Sequence, residues 1–389
     1  MKIFKNESVL EASKKRIRWL FEEFENVVVS FSGGKDSTIC FNLALEVARD
    51  LGKLPLKVMF LDQEAEWQAT IDAVTEVMEN PDVEPYWIQA PFKLFNATST
   101  EEHWLECWDP AKEDLWVRPK VPYSIKENTF GTVRFKGMFS GIPVSLWPDK
   151  KTAFIAGVRC EESPARAVAL THSLCHKWVT WGVELTHGNK TFYPIYDWST
   201  SDVWKAINEH GWNYCKLYDN LYRHGVSVSK MRVSNVHHET AVWALFVLQE
   251  LEPKTYNRLV ARIQGIDMAG KMGYLNYFPS VLPPMFGDWK EYRDFLLEKL
   301  ITNEKWKEGM RKKFEKMDLD LLGFEKKYSL YQTQVSSIMC NDWEGIKLDN
   351  FMSRPEIYGV AKKSRKQRKL SLQTEEQLYN SLPTEETEA

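Results

Sequence analysis

Residues 27–38 read VVVSFSGGKDST, an apolar run that ends at two glycines followed by a lysine, an acid and two hydroxyl residues. Such a run is typical of a buried strand, and the residues after it are those of a turn into a helix. Backbone N–H groups of a glycine-rich turn converge on one anion, and the N-terminal end of the next helix adds positive potential. The stretch therefore predicts a strand that leads into a phosphate-binding loop.

The loop also predicts which side chains contact the phosphates. The candidate ligands are Ser32, Gly33, Gly34, Lys35 and Ser37. Asp36 would repel a phosphate unless a cation such as Mg²⁺ lies between them or the carboxylate caps local backbone, so it indicates a metal-bound polyphosphate. The spacing fits neither a Walker loop nor the G-x-G-x-x-G of dinucleotide sites. The alternative is an ordinary solvated turn, since these residue types are common in turns.

Length and composition limit the class of protein. The chain has 389 residues, of which 43% are hydrophobic and 27% charged, with a net charge of −3. These values predict a globular protein and argue against one that coats nucleic acid. Because no stretch approaches the ~20 apolar residues of a membrane span, and the first residues lack a secretory segment, we expect a cytoplasmic protein with no membrane contact. The six cysteines form no C-x-x-C pair, so no disulfide framework, zinc module or iron–sulfur cluster is expected.

Alternating apolar runs predict an α/β fold with a Rossmann-like parallel sheet and helices on both faces. The predicted strands are 27–31, 56–61, 86–89 and 152–156, and the predicted helices of this part are 10–24, 37–51 and 65–78. We expect a nucleotide-binding domain over residues 1–235, with an insertion at about 100–150 that folds over the site. A helical domain over residues 236–360 follows, with helices at 240–251, 256–266 and 289–316. Residues 361–389 are predicted to form a charged, disordered tail.

Two further strands end in polar residues, at the edge where open α/β sheets bind ligands. Asp62 follows the second strand, where its carboxylate could hold Mg²⁺ or a ribose hydroxyl, or simply cap a helix. The 152–156 strand leads into Gly157, Arg159, Glu162 and Arg166. Two arginines at a turn suit a phosphate or sulfate, with the glutamate orienting one of them. The alternative is an arginine–glutamate pair on a solvated helix.

Together these segments resemble the adenine-nucleotide alpha-hydrolase superfamily, specifically the branch of phosphoadenosine phosphosulfate reductase and the ATP sulfurylase small subunit. The resemblance rests on SGGKDS at 32–37, on Asp62, on GVRCEES at 157–163 and on YPIYDWSTSDVW at 193–204. It implies a pyrophosphate-loop fold that binds ATP or a related adenine nucleotide with Mg²⁺. Asp36 and Asp62 would be the metal ligands, and Lys35, Asp36 and Arg159 the catalytic residues.

The chain departs from the reductases at their C-terminal Glu-Cys-Gly-x-His segment, which has no match here. Cys340, within IMCND at 338–342, has different neighbours and is expected to be a buried small residue. In outline the chain also resembles the uncharacterised immunoglobulin-binding regulator A proteins, which implies a ParB-like partner. The basic run KKSRKQRK at 362–369 is a candidate nucleic-acid contact, or a solvated tail.

Two functional hypotheses follow. In the first, an enzyme cleaves ATP between its α and β phosphates, adenylates an acceptor near Arg166 and Asp197, and releases pyrophosphate. The acceptor would be sulfate-like or linked to nucleic acid. In the second, the protein binds a sulfonucleotide without a reductase thiol and acts in a regulatory or DNA-directed complex.

Overall fold

A computed structural model describes residues 5–99, 101–228, 231–233, 236, 244–272 and 280–379, without the side chains of residues 272 and 370–379. The chain divides into two compact units. The first comprises the described parts of residues 1–95, 104–237 and 247–263, and the second those of 96–103, 238–246 and 264–389. No helix of the described residues is both long and apolar enough to span a membrane.

The first unit is built on a six-stranded sheet in the order β3-β2-β1-β6-β8-β7. Its strands are parallel except β7, which pairs antiparallel with β8. A separate antiparallel pair is formed by β4 and β5. The strands are β1 Asn26–Ser30, β2 Leu56–Leu61, β3 Val83–Ile88, β4 Phe92–Phe95, β5 Trp104–Cys107, β6 Thr152–Ile155, β7 Gly182–Glu184 and β8 Lys190–Phe192.

Helices pack against this sheet and form the second unit. Those up to residue 262 are α1 Val9–Glu23, α2 Lys35–Asp50, α3 Gln68–Met78, α4 Phe135–Leu146, α5 Pro164–Thr171, α6 Thr200–His210, α7 Leu217–Arg223, α8 Ala244–Leu251 and α9 Pro253–Arg262. The remainder are α10 Ile266–Met272, α11 Trp289–Lys299, α12 Glu304–Asp320, α13 Lys327–Met339, α14 Ile346–Met352 and α15 Pro355–Tyr379.

The core of the first unit explains why β1 is a continuous apolar run. Val28 and Val29 are fully buried, because β1 lies between β2 and β6 and has helices on its faces. Ile17 and Leu20 of α1 and the apolar side of α2 belong to the same cluster. Burial of this kind contributes about 1.5–3 kcal/mol per large side chain, so the sheet is held mainly by its apolar faces.

The segment at 193–204 has a structural role. The indole N–H of Trp198 donates to Ser13 Oγ at 2.8 Å and thereby joins this segment to α1. Ser199 caps α6: its hydroxyl accepts from the Asp202 amide at 3.1 Å, and the Asp202 carboxylate accepts from the Ser199 amide at 2.8 Å. This reciprocal pair is a capping box, which satisfies amides at the helix start. The serine and aspartate of the segment therefore start a helix.

The structure confirms the predicted α/β class with a mostly parallel sheet and a helical C-terminal region. The predicted strands match β1, β2, β3 and β6 to within a few residues. The stretch 289–316 was predicted as one helix and is two, because Asn303 begins α12 by accepting a hydrogen bond from the Trp306 amide at 3.2 Å. The first residues of the helix predicted at 240–251 lie outside the described residues, and that predicted at 256–266 ends at Arg262.

The predicted division of the chain differs from the observed units in two places. Helix α9 belongs to the first unit although it follows residue 235. Part of the predicted tail over 361–389 belongs to α15, which continues to Tyr379. Ala361 is buried in the core of the second unit, and Asp320 pairs with Arg365 and Arg368. These contacts hold the basic run in a helix, whereas residues 380–389 lie outside the described part.

Candidate functional site

The loop between β1 and α2 lies where the strand order of the sheet changes direction. From β1 the chain proceeds to β2 and β3 on one side, while β6 flanks β1 on the other. Parallel α/β sheets bind ligands at the carboxyl ends of the strands at such a point. Gly33 and Gly34 follow β1 and Gly157 follows β6, so both turns lie at this edge.

The loop presents backbone donors for which the described residues supply no acceptor. Helix α2 begins after Gly34, which offers no capping side chain. Within the part of the chain that the structure describes, the amides of Gly33, Gly34, Asp36 and Ser37 have no hydrogen-bond partner. The first amides of a helix need a partner from outside it, and an anion supplies one. The arrangement therefore suits a phosphate.

Two glycines of the site are required by its geometry. Gly33 has a φ of +73°, and a Cβ there would lie 2.7 Å from Thr70 Cγ2. A Cβ on Gly157 would lie 2.6 Å from the carbonyl carbon of Asp36 and 2.7 Å from the Ser37 nitrogen. Only glycine lets the end of β6 approach the first turn of α2 this closely. The turns that follow β1 and β6 are therefore in direct contact, and their service to one site stays a prediction.

Ion pairs connect the turn after β1 with the turn after β6. The Asp36 carboxylate accepts from Lys35 Nζ at 2.7 Å and from Arg159 Nε at 2.6 Å. Arg159 is buried, with 3% of its surface exposed, and its guanidinium also reaches Glu161 at 3.2 Å and the Trp198 carbonyl at 3.4 Å. Lys35 and Arg159 are thus held beside the open amides by one carboxylate. A bound phosphate would lie near two cations as well as the backbone donors.

Glu162 lies between the two predicted arginines. Its Oε1 accepts from the Arg159 amide at 2.9 Å, and its Oε2 pairs with Arg166. Burial lowers the pKa of Arg166, and the neighbouring Arg232 and Arg159 act in the same direction. A guanidinium with other cations nearby favours a further anion. Glu162 therefore contacts both the backbone of the turn and the side chain of Arg166.

The hydroxyl groups of the loop face one another. Ser37 Oγ donates to the Gly34 carbonyl at 2.9 Å and lies 3.2 Å from Ser32 Oγ. Tyr218 was not predicted as a site residue, although it follows the segment at 193–204. Its hydroxyl accepts from the Lys35 amide at 3.1 Å, and burial raises the pKa of this phenol. Tyr218 thus fixes the start of α2 from the side.

Asp62 has a different environment from the one predicted. It is fully buried, and its Oδ2 accepts from the Trp87 indole at 2.8 Å and from Gln89 Nε2 at 3.0 Å. Its Oδ1 accepts from the Glu64 amide at 2.9 Å and pairs with Arg118. All acceptor positions have protein donors, so the contacts of Asp62 are those of a structural carboxylate.

Glu64, a neighbouring carboxylate that the sequence analysis did not include among the site residues, has a similar environment. Glu64 is fully buried with a φ of +61°, and it accepts from Arg262 Nε at 2.7 Å and from the Trp108 amide at 2.7 Å. The two charged partners are 198 positions apart in the chain, so no local pattern could have joined them. Together Asp62, Glu64, Arg118 and Arg262 form what we call the buried ion network.

The predicted magnesium site does not fit these contacts. Both oxygens of Asp36 face cations, and those of Asp62 face N–H donors. Cations and N–H groups repel a metal ion, whereas Mg²⁺ requires free oxygen ligands. In the described residues no group of three or more His, Cys, Asp or Glu side chains is placed to hold a metal. The metal role given to Asp36 and Asp62 is therefore corrected to ion pairing.

Residues 26–224 match the phosphoadenosine phosphosulfate reductase domain, and residues 225–321 match a domain of unknown function, DUF3440. The uncharacterised protein YbdN of Escherichia coli K12 is 31% identical over 352 residues, which cover 86% of this chain and 85% of that protein.

Solved structures resemble the chain only weakly. An FMN adenylyltransferase of Candida glabrata, in complex with FMN and an ATP analogue, has 12% identity and a TM-score of 0.37, covering 61% of this chain and 66% of that one. A phosphoadenylyl-sulfate reductase of Candida auris, in a phosphate complex, has 15% identity and a TM-score of 0.33, covering 61% and 98%. At these scores the structural likeness carries no weight in assigning an activity.

Proposed function

Because the chain belongs to the phosphoadenosine phosphosulfate reductase domain family, we propose that it binds an adenine nucleotide at the loop between β1 and α2. The open amides of Gly33, Gly34, Asp36 and Ser37 are the observation that carries this proposal. Lys35 and Arg159 would provide charge-assisted contacts to the phosphates, each worth about 1.5–3 kcal/mol. Arg159 is already fixed by its partners, so little entropy is lost when it binds.

The nucleotide we propose is ATP, used to adenylate an acceptor. The acceptor oxygen attacks the α phosphorus, the bond between that phosphorus and the α–β bridging oxygen breaks, and pyrophosphate leaves. Lys35 and Arg159 would stabilise the charge that develops on the phosphates. The magnesium predicted from the sequence stays a prediction, and it would arrive with ATP as part of the substrate. No step above depends on a metal held by the chain.

Four of the six cysteines are too deeply buried to serve readily as the thiol of a sulfonucleotide reductase, whereas Cys160 and Cys175 are only partly buried. Cys340 is fully buried, and Cys40, Cys107 and Cys215 are buried too. Burial raises the pKa of Cys215 to about 11 and that of Cys107 well above its ordinary value. Thiolate is the nucleophilic form, so such thiols are poor nucleophiles.

The contacts of Asp197 do not support an acceptor site beside this residue. Asp197 makes a two-point pair with Arg16 of α1, at 2.8 Å and 2.6 Å. This pair joins α1 to the segment at 193–204, alongside the Trp198 bond. Arg166, whose side chain is 44% exposed, stays a candidate contact for an anionic acceptor.

Calorimetric titration with ATP, phosphoadenosine phosphosulfate and AMP tests the proposal. We expect ATP to bind best and Lys35→Ala to weaken it by about 10- to 100-fold, the loss of one charged contact. Lys150→Ala is the control, because Lys150 is exposed and outside the loop. Equal ATP affinity in Lys35→Ala and wild type would remove the loop as the site. Preference for the sulfonucleotide would restore the alternative hypothesis.

A second candidate function, in a DNA-directed complex, is favoured by α15. Lys362, Lys366 and Lys369 are exposed and spaced along one face of this helix. Among the described residues none of them forms an ion pair, unlike Arg365 and Arg368, which pair with Asp320. A lysine stripe without counterions suits a phosphate backbone.

Fluorescence anisotropy with duplex DNA at several salt concentrations tests this second function. We expect weak binding that decreases with salt and is reduced in the variant Lys362→Glu/Lys366→Glu. No binding at low salt would contradict it. The ParB-like partner stays a prediction from the sequence resemblance.

A further inference from the structure

A cavity of about 760 Å³ opens in the first unit, away from the residues of the glycine loop. It is bounded by the chain around Trp116 and by α9. The cationic side chains in its wall are Arg118, Lys120, Lys126 and Arg258, and the acidic ones are Glu113 and Asp114. Its volume lies within the usual range for small-molecule sites, about 300–1,000 Å³.

The cations of this cavity are not neutralised equally. Arg118 is buried and pairs with Asp62, so its charge is balanced within the buried ion network. In the described ranges, Lys120, Lys126 and Arg258 have no carboxylate within ion-pair distance. Arg258 instead donates to the Val117 carbonyl at 2.8 Å. Three cations therefore face the cavity without a bonded counterion.

Lys120 is the most constrained of these cations. It is half-buried, and its Nζ lies 4.5 Å from the centre of the Trp116 ring and 5.8 Å from that of Trp108. Burial lowers the pKa of Lys120; the charge of Glu113 raises it in part, as does Glu64, and the neighbouring Lys126 lowers it. An aromatic face compensates only part of the cost of removing an ammonium group from water. An anion in the cavity would compensate the rest.

We propose that this cavity is a second anion site, which takes a small molecule bearing a phosphate or sulfate group. Lys120, Lys126 and Arg258 would contact the anionic group, and the ring of Trp116 would form a wall for the rest of the molecule. The exposed Glu113 and Asp114 would repel an anion placed beside them, so the anionic group would lie toward the three cations of the wall. The inference does not depend on the nucleotide proposed for the loop.

Calorimetry with inorganic pyrophosphate tests the inference. The substitution Lys35→Ala weakens binding at the glycine loop, so that binding at the cavity can be measured separately. In that background we expect one remaining site, and adding Lys126→Glu/Arg258→Glu should weaken it at least tenfold. Lys150→Glu/Lys151→Glu is the matched control: it makes the same change in net charge at exposed lysines outside the cavity. Circular dichroism verifies that each variant folds.

Each outcome decides the matter. Loss of pyrophosphate binding in Lys126→Glu/Arg258→Glu, with the control unchanged, supports the cavity. If the Lys35→Ala variant does not bind pyrophosphate, the cavity proposal is wrong. It is also wrong if the control loses as much affinity as the cavity variant, because the change in net charge alone would then explain the effect. If Lys35→Ala leaves ATP affinity unchanged while the cavity variants lose pyrophosphate, the loop proposal fails and the cavity stands.

Discussion

The carboxyl ends of β1 and β2 are neighbours in the sheet, yet their polar residues are arranged in opposite ways. At the end of β1, Asp36 pairs with two cations, and among the described residues the amides of Gly33, Gly34, Asp36 and Ser37 have no partner. At the end of β2, Asp62 and Glu64 are fully buried, and all their oxygens accept hydrogen bonds from the protein. At the first end, backbone donors have no partner among the described residues, whereas at the second the carboxylate oxygens of both acids have protein donors.

This difference teaches that charge at a strand end does not by itself indicate a binding site. A buried carboxylate with all its donors in place serves the fold, because removing a donor would leave a desolvated charge. Amides of a glycine turn that lack a protein partner contribute much less to the stability of the fold. The two ends should therefore respond oppositely to mutation: the β2 end in stability and the β1 end in binding.

The largest expected effect comes from breaking the buried ion network. Arg262→Ala removes the partner of Glu64 and should lower the free energy of unfolding by about 3–5 kcal/mol. Urea denaturation measures this change. Arg49→Ala is the control: Arg49 pairs with Asp82 at 2.6 Å, but half its side chain is exposed, so we expect a loss below about 1 kcal/mol. Similar losses in both variants would contradict the distinction between the two ends.

Sequence reasoning could predict the β1 end because its signals are local. The apolar run, the glycines and Lys35 lie within residues 27–38, and the structure places Gly157 and Arg159 beside them. It could not predict the β2 end, where Asp62 depends on Arg118 in the insertion and Glu64 on Arg262 in α9. Pairings over such distances follow from the packing of the whole unit. The cavity could not be predicted for the same reason, because its wall is formed by residues of the insertion and of α9.

A smaller effect, on the pH dependence of stability, is expected from Glu66. The pKa of this carboxyl is raised from its ordinary 4.5 to about 8, first by burial and then by the charge of Asp62, with Arg118 acting in the opposite direction. Between pH 4.5 and about pH 8, the carboxyl group of Glu66 has lost its proton in the unfolded chain but keeps it in the folded protein. Stability therefore falls as pH rises from about 4.5 to 8, by a few kcal/mol at about 1.4 kcal/mol per pKa unit.

Urea denaturation across this pH range, with Glu66→Gln as the comparison, measures the effect of Glu66. The amide cannot titrate, so its stability should change less between pH 5 and 8 than that of wild type. Parallel pH profiles would mean that Glu66 is ionised in the folded protein. The β2 end would then hold a buried negative charge at Glu66 in addition to the paired charges of the buried ion network.

The smallest expected loss of stability is at the β1 end itself, from Gly157→Ala. The added methyl group would overlap the Asp36 carbonyl carbon, so the turn after β6 must move away from α2, at a cost of about 1–3 kcal/mol. Arg159 follows this turn, so its contact with Asp36 should weaken and ATP affinity should fall by more than the change in stability explains. Thermal denaturation and calorimetry measure the two effects.

Gly309→Ala provides the matched control for that substitution. Gly309 lies within α12, and a Cβ there would have no atom within 4 Å. Alanine is favoured over glycine in a helix by about 0.5–1 kcal/mol, so this variant should be slightly more stable than wild type with unchanged ATP affinity. If Gly157→Ala behaves in the same way, the close approach of β6 to α2 does not position Arg159. The β1 end would then owe its ligand contacts to the glycine loop alone.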